Sequence, residues 1–130
     1  MIDWQPLLDA ARQARARAYA PYSGFQVGAA LLMEDGAIVA GCNVENRSYG
    51  LTICAERGAL SAAVAQGHGR PRAIAVLTDT SPPSAPCGMC RESLQELAAG
   101  APVLLANTAG ERVETTVSEL LPMPFVLPPR

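Results

Sequence analysis

The sequence predicts an α/β protein: a three-layer α/β/α sandwich on a mixed five-stranded sheet, with elements in the order αββαβαββ. Three observations predict it. Continuous apolar runs, "FQVGAALLM", "RAIAVLTD" and "APVLLAN", read as buried strands. Two stretches of helical periodicity, 54–66 and 87–99, fall between and after them. Gly and Pro punctuate nearly every junction. Apolar strands joined through helices imply parallel neighbours with right-handed crossovers, while a tight turn after the first strand implies an antiparallel pair, so the sheet is mixed.

Residues 4–18 form the first predicted helix, with Leu7, Leu8, Ala11 and Ala18 near one face and arginines on the other. "YAPYSGF" breaks it, because Pro21, Ser23 and Gly24 are turn residues. "FQVGAALLM" follows as a largely buried strand. Glu34-Asp35-Gly36 is a hairpin-type turn, and "AIVAGCNV" returns antiparallel. Residues 45–53 make a polar loop. From Cys54 to Gln66, Ala55, Ala59, Leu60, Ala63 and Val64 recur at helix spacing, and Gly67 and Gly69 end the run. "RAIAVLTD" is the third strand and "TSPPSAP" a loop. Cys87 to Ala99 is a helix opened by Pro86 and closed by Gly100. "APVLLAN", the turn "TAG" and the alternating edge strand "ERVETTV" complete the sheet. "SELLP" is expected to make one helical turn before a proline-rich tail. No internal repeat or boundary divides residues 1–130, which read as a single domain.

The 130 residues carry ten arginines, no lysine and twelve acids, a net charge of −2. That balance argues against a general nucleic-acid binder, which shows a basic surplus. Arg12, Arg15 and Arg17 cluster, but on a helix pattern where a solvated face is the expected reading. No run is long and apolar enough to span a bilayer. The start, "MIDWQPLLDA", lacks a basic segment followed by an apolar one. The expected location is therefore the cytoplasm, where four cysteines read as metal ligands or catalytic groups rather than disulfides.

Three of those thiols converge on the predicted scaffold. Cys54 opens one helix, and Cys87 and Cys90 open the next, three residues apart and so on one face. Both helices follow strands, which brings their N-termini to the sheet edge where α/β proteins bind ligands. Helix N-termini favour thiolates, and three thiolates suit Zn²⁺ with a fourth tetrahedral position left for water. Three thiolates on a dication leave a net negative charge that opposes hydroxide formation. Arg57, the two helix dipoles and Arg91 are the candidates to offset it. Glu56, two residues after a ligand, is placed to move protons of a water held there. Metal, water and carboxylate together suit hydrolysis of an amidine-like C–NH₂ group.

These residues carry a resemblance. "CAER" followed by "PCGMC" resembles the cytidine deaminases, in the small zinc form with three cysteine ligands, whose general chemistry is known. "YAPYSGFQVGAAL", "GCNVEN", "PCGMCR" and "SELLP" are similar to family segments in the same order, over nearly the whole chain. The resemblance implies a cytidine-deaminase-like fold and hydrolytic deamination of cytidine and 2′-deoxycytidine to uridine and 2′-deoxyuridine, with release of ammonia, in pyrimidine salvage. It implies one Zn²⁺ per subunit on Cys54, Cys87 and Cys90, with Glu56 as the catalytic proton carrier and Arg57 supporting the thiolates. It implies that Asn43 and Glu45 hold the sugar 3′-hydroxyl and that the Ala55 backbone helps hold the base. Phe25 and Phe125 resemble aromatics flanking the pyrimidine, and Tyr49 a tyrosine lent to a neighbour's site. Family members of this size are homotetramers, so a homotetramer with shared sites is expected, acting on a small nucleoside, with no nucleic acid or membrane as partner. The chain departs from the pattern at Gly58, Ala85 and Glu92, none of them a ligand or the proton carrier.

Blander readings compete at several residues. Cys42 could close a four-cysteine structural site, which would make the protein a zinc-stabilised binding module and leave Glu56 without a purpose; a buried, inert cysteine is the expected alternative. His68, between two glycines, reads as surface. Cys87 and Cys90 could form a redox pair, but that leaves Cys54, Glu56 and Arg57 unexplained. By spacing alone Glu45 is a plain loop acid, and Phe25 and Tyr49 are core residues.

Overall fold

The computed structural model describes residues 1–129. Strands β1 (Gly28–Met33), β2 (Ile38–Cys42), β3 (Pro71–Thr78), β4 (Pro102–Asn107) and β5 (Arg112–Thr116) form one sheet in the order β2-β1-β3-β4-β5. Strand β1 is antiparallel to both β2 and β3, β3 and β4 are parallel, and β5 returns antiparallel. Strands β2 and β3 therefore run the same way, with β1 between them. Helix α2 (Ala55–Gln66) is the crossover from β2 to β3, and α3 (Gly88–Ala98) the crossover from β3 to β4. Two crossovers in the same sense bring both helix N-termini to one edge of the sheet, as predicted.

The side-chain period of two sorts β1 between two cores. Ala29, Leu31 and Met33 face α2 and α3, where Ala55, Ala59, Leu60, Ala63 and Leu94 meet them. Ala30 faces the other way, with Ala73, Ala75, Leu77 and Leu104, and is covered by Leu7, Leu8 and Ala11 of α1 (Gln5–Arg15). Leu7 and Leu8 are 1% and 4% exposed, and burying such a side chain stabilises by about 1.5–3 kcal/mol. The three predicted layers are thus α1, the sheet, and α2 with α3.

Two glycines let helices approach this closely. A Cβ on Gly28 would fall 2.0 Å from the Ala11 carbonyl oxygen, and one on Gly41 would fall 2.6 Å from both the Ala55 oxygen and the Ala59 nitrogen. Gly28 seats α1 on the sheet; Gly41 seats the first turn of α2, and so fixes the height of the residues that follow Cys54.

Several boundaries differ from expectation. Helix α1 stops at Arg15 rather than 18, and β1 starts at Gly28 rather than Phe25. Residues 25–27 instead hang from side-chain hydrogen bonds. Cys54 and Cys87 are N-caps with extended backbone, one residue ahead of the helices rather than inside their first turns. "SELLP" contributes to a single turn, α4 (Val117–Leu120), capped by the Thr116 hydroxyl accepting from the Glu119 N–H.

Candidate active site

Cys54 and Cys87 lie at the starts of α2 and α3, and Cys90 lies buried in the first turn of α3. Their sulfurs are all within 4.8 Å of one another, and those of Cys54 and Cys87 are 3.6 Å apart. Tetrahedral zinc with bonds near 2.3 Å asks for sulfurs roughly 3.8 Å apart. All four cysteines are free thiols, so the donor set and its spacing both fit a zinc ion. Among the described residues this is the one group of three such ligands. Cys42 lies apart from it, on the wall of a separate hollow beside Gln13 and Arg17 of α1 and its end, so the four-cysteine alternative has no fourth ligand here.

The charge of the sulfurs is met from one side. Arg57 donates from Nη2 to the Thr52 carbonyl at 3.0 Å and lies 3.9 Å from the Cys54 sulfur, while its buried Nε has no partner. The Cys90 thiol, donating to Cys54, holds the Cys54 thiol down at about 5, and Arg57 and Cys87 add to this against the opposing effect of burial. Donating that hydrogen bond to the Cys54 sulfur, together with burial, pushes the Cys90 thiol up. Arg91, the other expected counter-charge, serves differently: it donates to the Pro86 carbonyl at 2.8 Å and the Leu120 carbonyl at 2.9 Å, tying the start of α3 to α4.

Beside the sulfurs opens a cavity of about 350 Å³ lined by residues that include Phe25, Asn43, Glu45, Cys54, Ala55, Glu56 and Cys87. Glu56 is 4% exposed, and burial pushes its carboxyl up to about 7, the charge of Cys54 adding to the effect. Its place in the first turn of α2, two residues from Cys54, puts it in the cavity wall with Cys54 and Cys87.

The remaining walls are tied together by backbone-directed side chains. Asn43 is 7% exposed; its Oδ1 accepts from Val27 N–H at 2.8 Å and its Nδ2 donates to the Phe25 carbonyl at 2.7 Å. Glu45 accepts from the N–H groups of Tyr22 and Ser23 at 3.0 and 3.1 Å and from the Ser23 hydroxyl. Those bonds, the hydroxyl first, hold its carboxyl below the usual carboxylate range. Both residues line the cavity, and both also shape it. Phe25 stands at the rim, 38% exposed.

The tail and the 49–51 turn do not reach this cavity. Tyr49 is 75% exposed and packs edge-on against Tyr22, with ring centroids 6.1 Å apart. Phe125 is 74% exposed. His68 bonds Asp35 at 2.8 Å at the opposite end of β1, away from the site. Sequence reasoning missed Ser23, Thr52, Thr78 and Ser84, which add hydroxyls to the cavity wall. Thr78 ends β3 at the ligand-binding edge, a position that could have marked it.

The family model described as "Cytidine and deoxycytidylate deaminase zinc-binding region" matches residues 1–106. The chain belongs to this family. The protein is 54% identical over 125 residues to a cytidine deaminase of Halalkalibacterium halodurans, covering 95% of each chain. It is 49% identical over 125 residues to that of Sporosarcina psychrophila, covering 95% of this chain and 92% of the other. The crystal structure of cytidine deaminase from Burkholderia pseudomallei superposes with a TM-score of 0.92 at 48% identity, covering 95% of this chain and all of that one. The deaminase fold expected from the motifs is thus the fold observed, and zinc is the cofactor of this zinc-binding enzyme family.

Proposed function

We propose that this deaminase hydrolyses the exocyclic C–N bond of free cytidine and 2′-deoxycytidine, giving the uridines and ammonia. The observation that carries the reading is Glu56: a buried carboxyl in the wall of the cavity that also exposes Cys54 and Cys87. When held by Cys54, Cys87 and Cys90, zinc supplies the Lewis acidity that makes water a nucleophile near neutral pH. Glu56 takes one proton from the attacking water and passes it to ring N3, then takes the second from the new C4 hydroxyl and passes it to the departing amine. The water oxygen becomes the C4 carbonyl as the C4–N4 bond breaks. Arg57 steadies the sulfurs, the Ala55 backbone and Phe25 hold the base, and Asn43 and Glu45 receive the 3′-hydroxyl.

The family spans nucleoside and nucleotide chemistry, and the cavity wall favours the former. Among the described residues it carries Glu45 and Glu56 and no lysine or arginine. A phosphate there would face acidic side chains with no basic side chain among the described residues to pair it. The volume of about 350 Å³ is at the small end for ligand pockets, which suits one nucleoside rather than a strand.

The protein is read as a cytoplasmic homotetramer. Exposed apolar side chains support association: Leu51 is 65% exposed, Ile53 45%, Val64 62% and Met89 60%. Tyr49 and Phe125, which stand clear of their own cavity, would reach a neighbour's. Free thiols fit a reducing compartment, and among the described residues no helix is long and apolar enough to cross a membrane.

Zinc-loaded protein mixed with cytidine should bleach the cytosine absorption band and release one ammonia per base, with deoxycytidine turned over and deoxycytidine monophosphate spared. Absence of turnover on both nucleosides would end this reading, and sedimentation at the monomer mass would end the tetramer.

A further inference from the structure

Arg15 was expected on a solvated helix face with Arg12 and Arg17. It is not there. Its side chain is 19% exposed, and the guanidinium spans two backbone segments that never meet in sequence. Nε donates to the Gln26 carbonyl at 3.0 Å, and Nη2 lies 3.5 Å from a carboxylate oxygen of Asp79.

Both segments are walls of the catalytic cavity. Gln26 lies between Phe25 and Val27, which line it, and Asp79 directly follows Thr78, which lines it from β3. The 25–27 segment lies outside the sheet ladder; apart from the Val27 carbonyl, which accepts from the Asn43 N–H at 3.3 Å, its bonded polar groups rely on side chains. Phe25 N–H is taken by the Ser23 hydroxyl at 2.9 Å, Phe25 C=O and Val27 N–H by Asn43, and Gln26 C=O by Arg15. The loop after Asp79 is anchored in turn, since Asn107 donates to the Thr80 carbonyl at 2.9 Å. Arg15 is thus the strut between a segment with little backbone pairing of its own and a loop fixed to the β4–β5 turn. Its root is fixed as well, because the Arg15 Cβ packs where a Gly28 side chain would stand.

We infer that Arg15 is a positioning residue for substrate binding: through Gln26 and Asp79 it sets the distance between the Phe25 wall and the Thr78 wall. The inference rests on the cavity being the nucleoside site. Arg15 bonds neither Glu56 nor the sulfurs, which sit at the starts of α2 and α3, so its loss should weaken ground-state and transition-state binding alike and leave the chemical step intact. A lysine at position 15 keeps the charge but cannot serve both partners from one planar fork.

The test measures cytidine kinetics for Arg15→Gln, Arg15→Lys, Phe25→Ala and the Phe25→Ala/Arg15→Gln double variant, at a temperature well below every melting point. Arg15→Gln should raise KM by roughly three- to tenfold, the scale of one net hydrogen bond, with kcat held within about twofold. Arg15→Lys should recover part of the KM. In the Phe25→Ala background the same change should lose most of its effect, because the wall it positions is gone. Unaltered KM in Arg15→Gln, or an equal KM effect with and without Phe25, would overturn the inference. Backbone amide exchange gives a readout independent of turnover: the Phe25 and Val27 amides should exchange faster in Arg15→Gln than in wild type while those of β3 do not. If wild type fails to deaminate cytidine, the proposed activity is wrong and the exchange data alone decide; unchanged protection at 25–27 would refute the strut.

Discussion

Arg57 lies 3.9 Å from the sulfur of Cys54 and is held there by its own bond to the Thr52 carbonyl at 3.0 Å. Among the described residues it is the basic side chain that meets the thiols, since Arg91 is spent on carbonyls. Groups that orient and neutralise metal ligands are worth about 10–100-fold in metal affinity. Arg57→Gln should therefore weaken zinc binding by about that factor, measured by competition with a chromophoric chelator. An unchanged zinc affinity would mean that the helix N-termini alone carry the compensation.

Glu56 is buried in a position that gives its carboxylate little to bond to, which is costly for folding and useful for catalysis. Glu56→Gln keeps the shape and removes the proton carrier. Turnover should fall by a factor of roughly 10² to 10⁴ or more, with zinc content by metal analysis unchanged and the melting temperature equal or higher. Retained turnover would instead point to a zinc-stabilised binding module in which the carboxyl has no chemical part.

The parts that the sequence made legible are local. Continuous apolar runs marked the buried strands, and β1 sorts its residues between the two cores as a strand's side-chain period of two requires. "CAER" and "PCGMC" marked the metal site because helix starts bring short-range neighbours together, so spacing alone carries geometry. What stayed hidden depends on which loop crosses which. Arg15 looked like surface because its helix face could be judged but not the segment lying over it. Ser23 looked like a turn residue because its partner is 22 positions away. Asn43 was expected to meet a sugar, and the same side chain also spends its oxygen and nitrogen on the Phe25 wall.

Glu45 offers a pH signature. The Ser23 hydroxyl and two backbone N–H groups favour its charged form, so its carboxyl in the folded protein lies below the ordinary value of 4.5. The stabilisation from these bonds is complete above that ordinary value and is lost as pH falls through the lowered one. Wild type should accordingly keep its affinity for cytidine somewhat below the usual carboxylate range. Ser23→Ala removes the largest contribution and leaves the backbone donors, so the acid rise in KM should move to higher pH without returning fully to the ordinary value. A KM profile from about pH 3 to 6 checks this; coincident profiles would show that Glu45 does not meet the substrate in its charged form.

Gly41 and Gly58 flank the same helix turn and should respond oppositely to alanine. At Gly41 an added methyl would fall 2.6 Å from backbone atoms of Ala55 and Ala59, which cannot move without shifting α2. At Gly58 the nearest atom is the Cys42 carbonyl oxygen at 3.6 Å, an ordinary contact, and nothing else in the subunit explains the glycine. Gly41→Ala should destabilise by about 1–3 kcal/mol and reduce turnover, because the displaced turn carries Glu56 away from the sulfurs. Gly58→Ala should stabilise the isolated fold by up to about 1 kcal/mol, the helix-propensity difference. Denaturant melts measure both. If Gly58→Ala instead destabilises, and does so more at high protein concentration than at low, the space at Gly58 is filled by a neighbouring copy, which would place α2 at the subunit interface of the proposed tetramer.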